Sequence, residues 1–282
     1  MNHYESILFT CGDGIVRLTL NQPERLNSFG EDMNREIFDA LLRVETDPDA
    51  RVLVLTGSGH GFCAGANLGE LSLGGPVPDF RADLEGQYNP IALGGPAPDL
   101  GAVLEGQYNP IVEKMRALPV PIVCAVNGVA AGAGASFALA CDIVIAARSA
   151  SFIQAFTKIG LLPDMGGTFF PPHLIGTARA MGLALLAEPL SAQDAAAWGL
   201  IWRCVDDDQL PHATDDLVRR LVGAPKRALA LTKHAIHASE RNSLTQQLGL
   251  ERDLQRSLGY TEDFTEGVAA FRAKRRPQFM GR

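Results

Sequence analysis

Three stretches of this chain hold residues whose type and spacing can do chemistry. The first is GLLPDMGGT, where Asp164 stands among Leu161, Leu162, Met165, Phe169 and Phe170. Apolar neighbours desolvate a carboxylate, raise its pKa and strengthen it as a proton acceptor. The plain alternative is a turn Asp beside Gly166 and Gly167, because Pro-Asp-x-Gly is common in turns. The other two stretches are FCAGANL (62–68) and NGVAAGAGASFALACD (127–142). Small residues after a strand let a backbone N–H approach a ligand closely, although tight packing explains each turn taken singly. A glycine-rich turn entering a helix adds unpaired N–H groups and a dipole that favours developing negative charge. Two such N–H groups aimed at one oxygen meet the requirement for stabilising an enolate. No Gly-Lys-Ser/Thr follows, so this turn is not a P-loop.

Composition narrows the partners. The 282 residues are 46% hydrophobic and 20% charged, the balance of one large globular domain, or one with a small appendage. A formal charge of -7 argues against a nucleic-acid surface, so an anionic ligand has to be met by a local basic pocket. Cys11, Cys63, Cys124, Cys141 and Cys204 form an odd, unpatterned set that fits a reducing cytosol. No CxxC or HExxH occurs, and His234 and His237 share a helix face with no acidic ligand nearby, so no metal site is expected. MNHYESILFT shows no basic region followed by an apolar core, and a cytoplasmic location is expected. Residues 119–147 are nearly uncharged, but Pro121, Asn127, Gly128, Gly132, Gly134 and Asp142 interrupt them. A buried strand, helix and strand explain the run better than a membrane span.

The elements that position these stretches are legible in outline. SILFTCGDGIVRLTL (6–20) flanks Asp13-Gly14 with β-rich runs, a hairpin signal. After NQPERLNS, with Asn27 or Ser28 as N-cap, Met33, Ile37, Phe38, Leu41, Leu42 and Val44 recur at helical spacing. RVLVLTG, PIVCAVNG and DIVIAA read as buried strands, and their alternation with helices implies an α/β fold with a largely parallel sheet. Beyond about residue 174 the pattern is almost wholly helical, with a cap at Ser191 and a helix opening at Pro225. Helices over 225–240, 243–258 and 262–273 present apolar faces that suit packing against another subunit. GGPVPDFRADLEGQYNPI (74–91) returns as GGPAPDLGAVLEGQYNPI (94–111). Two copies are too few for a solenoid, and a tandem duplication in a surface segment is the simplest reading. An enlarged substrate lid is the alternative. The second copy runs directly into IVEKMRAL, which makes it the integrated one.

The chain resembles the crotonase, or enoyl-CoA hydratase/isomerase, superfamily. PERLNSF, FCAGANL, AVNGVAAGAGASFALACD, GLLPDMGGT and LSAQDAAAWGL stand in that family's order and span nearly the whole chain apart from the extra copy. The resemblance implies a ββα spiral core over residues 1–200, including the duplicated 74–111 segment, and a C-terminal helical region over 201–282 that drives trimer or dimer-of-trimers formation. It implies an acyl-CoA thioester as ligand, with coenzyme A part of the substrate and no separate cofactor. By motif position the oxyanion N–H groups fall on Ala66 and Ala133, beside Gly132 and Leu68, and Ala64 offers a carbonyl to adenine. Asn67 stands where the family usually carries Asp, and Pro172-His173 where an Arg is more usual. Arg25 and the basic cluster Arg272, Lys274, Arg275 and Arg276 are candidates for the phosphates, with a solvated tail as the alternative for the cluster.

One departure carries the choice of reaction. The two carboxylate positions used for hydration in this family hold Ser136 and Phe156, neither of which can act as acid or base. Asp164 remains, where several isomerases of the family use an acid. One carboxylate suffices for isomerisation, because the base that removes a proton from one carbon can return it to another. ARSASFIQAFTKIGLLPDMGGT, ARAMGLALLAEPLSAQDAAAWGLIWRCVDD and NSLTQQLGLERDLQRS further resemble the branch that isomerises ring-bearing acyl-CoA thioesters in phenylacetate catabolism. Phe152, Phe156 and Phe169 would then line a ring pocket, although core packing is the commoner role for aromatics. The competing expectations are an aliphatic enoyl- or dienoyl-CoA isomerase and a catalytically silent acyl-CoA- or RNA-binding member.

Overall fold

The computed structural model describes residues 4–69 and 99–281. The first duplicated copy, and residues 94–98 of the second, lie outside them. Strands β1 (Ile7–Gly12) and β2 (Ile15–Leu20) pair antiparallel around Asp13 and Gly14, whose φ angles of 52° and 76° suit a two-residue primed turn. Helix α1 (Glu31–Thr46) buries Met33, Ile37, Phe38, Leu41 and Val44 as its spacing requires. Its N-cap is Gly30, so neither Asn27 nor Ser28 caps it. The chain before α1 is engaged elsewhere. Ala64 N–H donates to Leu26 O at 2.9 Å, Phe29 N–H to Gly65 O at 2.7 Å and Asn67 N–H to Phe29 O at 2.8 Å. Asn27, buried at φ 55°, donates through Nδ2 to the carbonyls of Ser58, Gly61 and Phe62 and accepts from Gln22 N–H.

The remaining strands are β3 (Val52–Gly57), β4 (Gly61–Cys63), β5 (Ile122–Val126), β6 (Val129–Ala131), β7 (Ile143–Ala147), β8 (Ser151–Ile153), β9 (Leu190–Ser191) and β10 (Arg203–Val205). They form two sheets, β1-β2-β3-β5-β7-β10 and β4-β6-β8-β9, parallel except for the pairs β1·β2 and β8·β9. Successive passes of the chain place one strand in the long sheet and the next in the short one, which is a spiral. The continuous apolar runs of β3 and β5 follow from burial on both faces. Leu53, Leu55, Ile122 and Cys124 face the main core with α1, whereas Val52, Val54 and Val123 pack on Val218.

The other helices are α2 (Leu100–Val103), joined by a π-helical turn, Leu104–Tyr108, to α3 (Asn109–Ala117), then α4 (Ala133–Leu139), α5 (Phe170–Leu186), α6 (Ala192–Trp198), α7 (Leu210–Val222), α8 (Lys226–Ser239), α9 (Leu244–Leu258) and α10 (Glu262–Arg272). Ser191 caps α6 by accepting from Asp194 N–H at 3.0 Å. Pro225 occupies the N-cap of α8. β10 still belongs to the long sheet, and the helices α7 to α10 follow it. No helix among the described residues is long and apolar enough to cross a membrane.

The described part of the second repeat copy makes a complete helical run: Asp99 caps α2 by accepting from Ala102 N–H at 3.1 Å, and the chain stays helical to Ala117. Deleting residues 74–93 is therefore expected to leave a cooperatively folding chain whose Tm moves by less than about 3 °C, since loop length costs little stability. Loss of a cooperative thermal transition would show that the first copy is structurally required.

Candidate active site

Strands β4, β6 and β8 are adjacent and parallel in the short sheet, so the segments leaving their C-terminal ends emerge side by side. That end of an α/β sheet is where ligands bind. After β4 come Ala64, Gly65 and Ala66; after β6, Gly132 and Ala133; after β8, Phe156 and then Asp164. All of these line one cleft of about 700 Å³, together with Leu68, Leu104 and Tyr108.

The two small-residue turns touch. A Cβ added to Gly65, at φ 92°, would lie 2.8 Å from Ala131 O and 3.3 Å from Ala133 N, so only glycine permits the approach. Phe29 and Ala66 form a parallel bridge in which Phe29 N–H donates to Gly65 O and Phe29 O accepts from Asn67 N–H. That pattern leaves the Ala66 N–H facing away from Phe29. Ala133 is the first residue of α4, and its N–H has no acceptor within the helix. Gly132, at φ 52° and ψ -128°, makes the turn that delivers it. Two backbone donors thus sit at the junction of two touching turns.

Asp164 begins a tight turn closed by Gly167 N–H donating to Asp164 O at 2.8 Å. Met165 at φ 49° and Gly166 at φ 82° occupy the left-handed region, an uncommon conformation for methionine and one concentrated at functional sites. The carboxyl is half-buried, and its Oδ1 is buried without a hydrogen-bond partner. Burial pushes its pKa up to about 6, opposed in part by its own N–H.

The apolar surroundings differ from those read in the sequence. Met165 is buried, but Leu161 and Leu162 are 38% and 71% exposed at the cleft mouth. Phe169 and Phe170 line a second cavity of about 620 Å³ on the other side of Gly166, where Arg116 lies 5.3 Å over the Phe170 ring. Phe156 lines the cleft, with its ring 3.8 Å from the place of a Gly132 Cβ. Phe152 is buried in the core, and Phe169 stacks on His173. Ser136 is fully buried, and a Cβ on Gly167 would lie 2.6 Å from its Oγ. The space a longer acidic side chain would need at position 136 is filled by the Asp164 turn.

Three of the other candidate ligand residues are not in the cleft lining. Arg25, exposed, is next to Leu26, whose carbonyl bonds the Ala64 strand end, which puts it at the rim. Asn67 accepts Gly69 N–H at 3.1 Å, a turn-closing bond that an Asp in its place would also offer. Lys274 is exposed just after α10, in a tail whose Phe279 O accepts from Arg51. Two contributors escaped the sequence reading: the exposed Lys158 and the buried Tyr108, both lining the cleft. The EGQYNPI repeat marked the segment holding Tyr108 but not the side chain that faces inward. His237 does have an acidic neighbour, since β7 begins beside α8 and brings Asp142 Oδ1 within 3.4 Å of Nε2.

Residues 10–93 and 91–282 match the family model for enoyl-CoA hydratase/isomerase, in two pieces that meet at the duplication. The chain belongs to this crotonase family. It is 50% identical to the 1,2-epoxyphenylacetyl-CoA isomerase of Escherichia coli (strain K12), over 99% of both chains. It is 32% identical to the trans-2-decenoyl-[acyl-carrier-protein] isomerase of Streptococcus mutans, again over 99% of both. Among solved structures, an enoyl-CoA hydratase from Polaromonas sp. JS666 superposes with a TM-score of 0.84 at 34% identity, covering 97% of this chain and 99% of that one.

Proposed function

We propose that this chain isomerises an acyl-CoA thioester, 1,2-epoxyphenylacetyl-CoA to oxepin-CoA, as a step of phenylacetate catabolism. The observation that carries the proposal is that Asp164 is the single carboxylate among the described residues lining the cleft. Hydration requires an activated water and a separate proton donor, whereas a proton shift within one molecule requires one base. Asp164 takes the proton α to the thioester carbonyl, the Ala66 and Ala133 N–H groups stabilise the enolate oxygen, and Asp164 returns the proton to a distal ring carbon. The bonds balance: the α C–H breaks and a ring C–H forms, while the C–C bond between the two epoxide carbons opens to give the seven-membered oxepin ring and the double bonds shift, with no water, oxidant or reductant consumed. No cofactor takes part, coenzyme A arriving with the substrate.

The cofactor half of the thioester lies along Ala64, Leu68 and Gly132, with Arg25 and Lys158 as cations near the phosphates. Identity to a relative that acts on the epoxide supports the ring substrate, and the apolar lining from Leu104, Phe156 and Met165 suits a ring. A homotrimer or dimer of trimers is proposed, supported by large apolar side chains left exposed on and beside the last helices: Leu244 (75%), Tyr260 (86%) and Phe271 (85%). In that assembly Lys274 would serve a neighbouring subunit's site. Incubating the protein with 1,2-epoxyphenylacetyl-CoA is expected to give a product of unchanged mass with shifted retention and ultraviolet absorbance. A hydrated product, heavier by one water, would replace this assignment with a hydratase.

A further inference from the structure

The cleft holds one donor side chain that the proton shuttle does not use. Of the donor side chains in its lining, Asn109, Lys158 and Thr168 are exposed to solvent, while Tyr108 is only 5% exposed. Its ring is fixed by the same residues that fix the two oxyanion turns. Phe29, bridged to Ala66, meets Tyr108 edge-on at 6.1 Å, and Phe29 in turn meets Phe137 of α4 at 5.4 Å. Burial first, and the nearby charge of Asp164 second, hold the phenol above its ordinary pKa, so it stays protonated.

The partners of the phenol leave its proton unspent. Asn34 lies beside the phenol, and its Oδ1 has no hydrogen-bond partner. The Asn34 amide also donates to Gln107 Oε1 at 3.2 Å, which orients the amide toward the π-helical turn. No acceptor for the phenol proton is found among the described residues. A hydroxyl in the cleft lining with no protein acceptor is free to bond a ligand, and a ligand oxygen that accepts is favoured over a ligand that cannot. Asp164 and Tyr108 both line the cleft, and Asp164 Oδ1 has no hydrogen-bond partner.

We propose that Tyr108 is a specificity-determining contact whose hydroxyl donates a hydrogen bond to an oxygen carried on the acyl group, beyond the thioester. This rests on the isomerase reading above and adds what selects the acyl group. An epoxide or ring oxygen accepts the bond; a hydrocarbon chain leaves the phenol unpaired.

The test compares kcat/KM for 1,2-epoxyphenylacetyl-CoA with that for a straight-chain 3-enoyl-CoA, in the unmutated protein and in Tyr108→Phe. Phenylalanine keeps the edge contact with Phe29, and the straight-chain substrate reports any general loss of folding or of enolate stabilisation. The ratio of the two kcat/KM values is expected to fall by about tenfold in the variant, the worth of one hydrogen bond to a buried donor. A ratio that stays within about twofold of the original overturns the inference and leaves the isomerase reading intact. Turnover of neither thioester by the unmutated protein removes both.

Discussion

Asp164→Asn is expected to lower kcat by at least about a thousandfold while leaving acyl-CoA binding nearly unchanged, because the amide fills the same space but cannot carry a proton. The effect is large because the same group acts twice, as base and then as acid, and the described cleft lining holds no second carboxylate to substitute for it. A pH profile sharpens the expectation. The base works only when ionised, and burial sets its pKa at about 6 rather than 3.8. Turnover should therefore rise through pH 6 and level off above it. Near-normal kcat in the Asn variant, or an acid limb near pH 4, would remove Asp164 from the reaction.

Stability should run the other way. A carboxyl whose folded pKa lies above its unfolded value binds its proton more tightly in the native state, so its contribution to stability is full below pH 3.8 and is lost as pH rises through about 6. Asp164→Asn should accordingly melt higher than the unmutated chain at pH 8 and no higher at pH 3.5. That is the signature of an acid kept desolvated for function at a cost to the fold.

What the residues disclosed and what they withheld divide along physical lines. The long-sheet strands β3, β5 and β7 were legible because burial on both faces writes a continuous apolar run. The helices α1, α9 and α10 were legible because their apolar spacing is helical. The strands β4, β6 and β8, which deliver the site, have only three residues each, too few to show any period. Their parallel adjacency is what makes Gly65 touch Ala133, and no local pattern encodes that pairing. Ala66, Ala133 and Asp164 could be singled out because glycine-rich turns and an acid among apolar residues are unusual in themselves. Tyr108 could not, since a tyrosine in a helix is ordinary until the π-helical turn aims it at the cleft. Phe169 and Phe170 misled for the converse reason: nearness to Asp164 in sequence does not fix which side of the Gly166 turn a ring takes.

The histidine pair of α8 leads to a charge network that the proton shuttle does not use, and its removal should produce the largest stability loss of any single change considered for this chain. Lys233 Nζ lies 2.8 Å from Asp142 Oδ2, with the two side chains 6% and 14% exposed. The ammonium also donates to Met115 O at 2.9 Å and Val120 O at 3.2 Å, so one cation joins α8 to α3 and to the chain entering β5. Asp142 accepts Ile122 N–H at 2.7 Å besides. Burial works against its ionisation, but the His237 hydrogen bond and the Lys233 charge outweigh it and hold the carboxyl below its usual value. Lys233→Met leaves that carboxylate buried without its cation and leaves two carbonyls without a donor. The expected cost is about 3–5 kcal/mol in urea unfolding, the range for breaking rather than replacing a buried pair. Because α3 continues the helical run that walls the cleft, KM should rise in the same variant while the pH 6 limb stays where it is. Adding Asp142→Asn removes the stranded charge yet keeps an acceptor for Ile122, and should restore a substantial part of the loss. A single variant within about 1 kcal/mol of the unmutated protein would mean that the pair is solvated enough to be an ordinary surface bridge, and that α8 is held by packing alone.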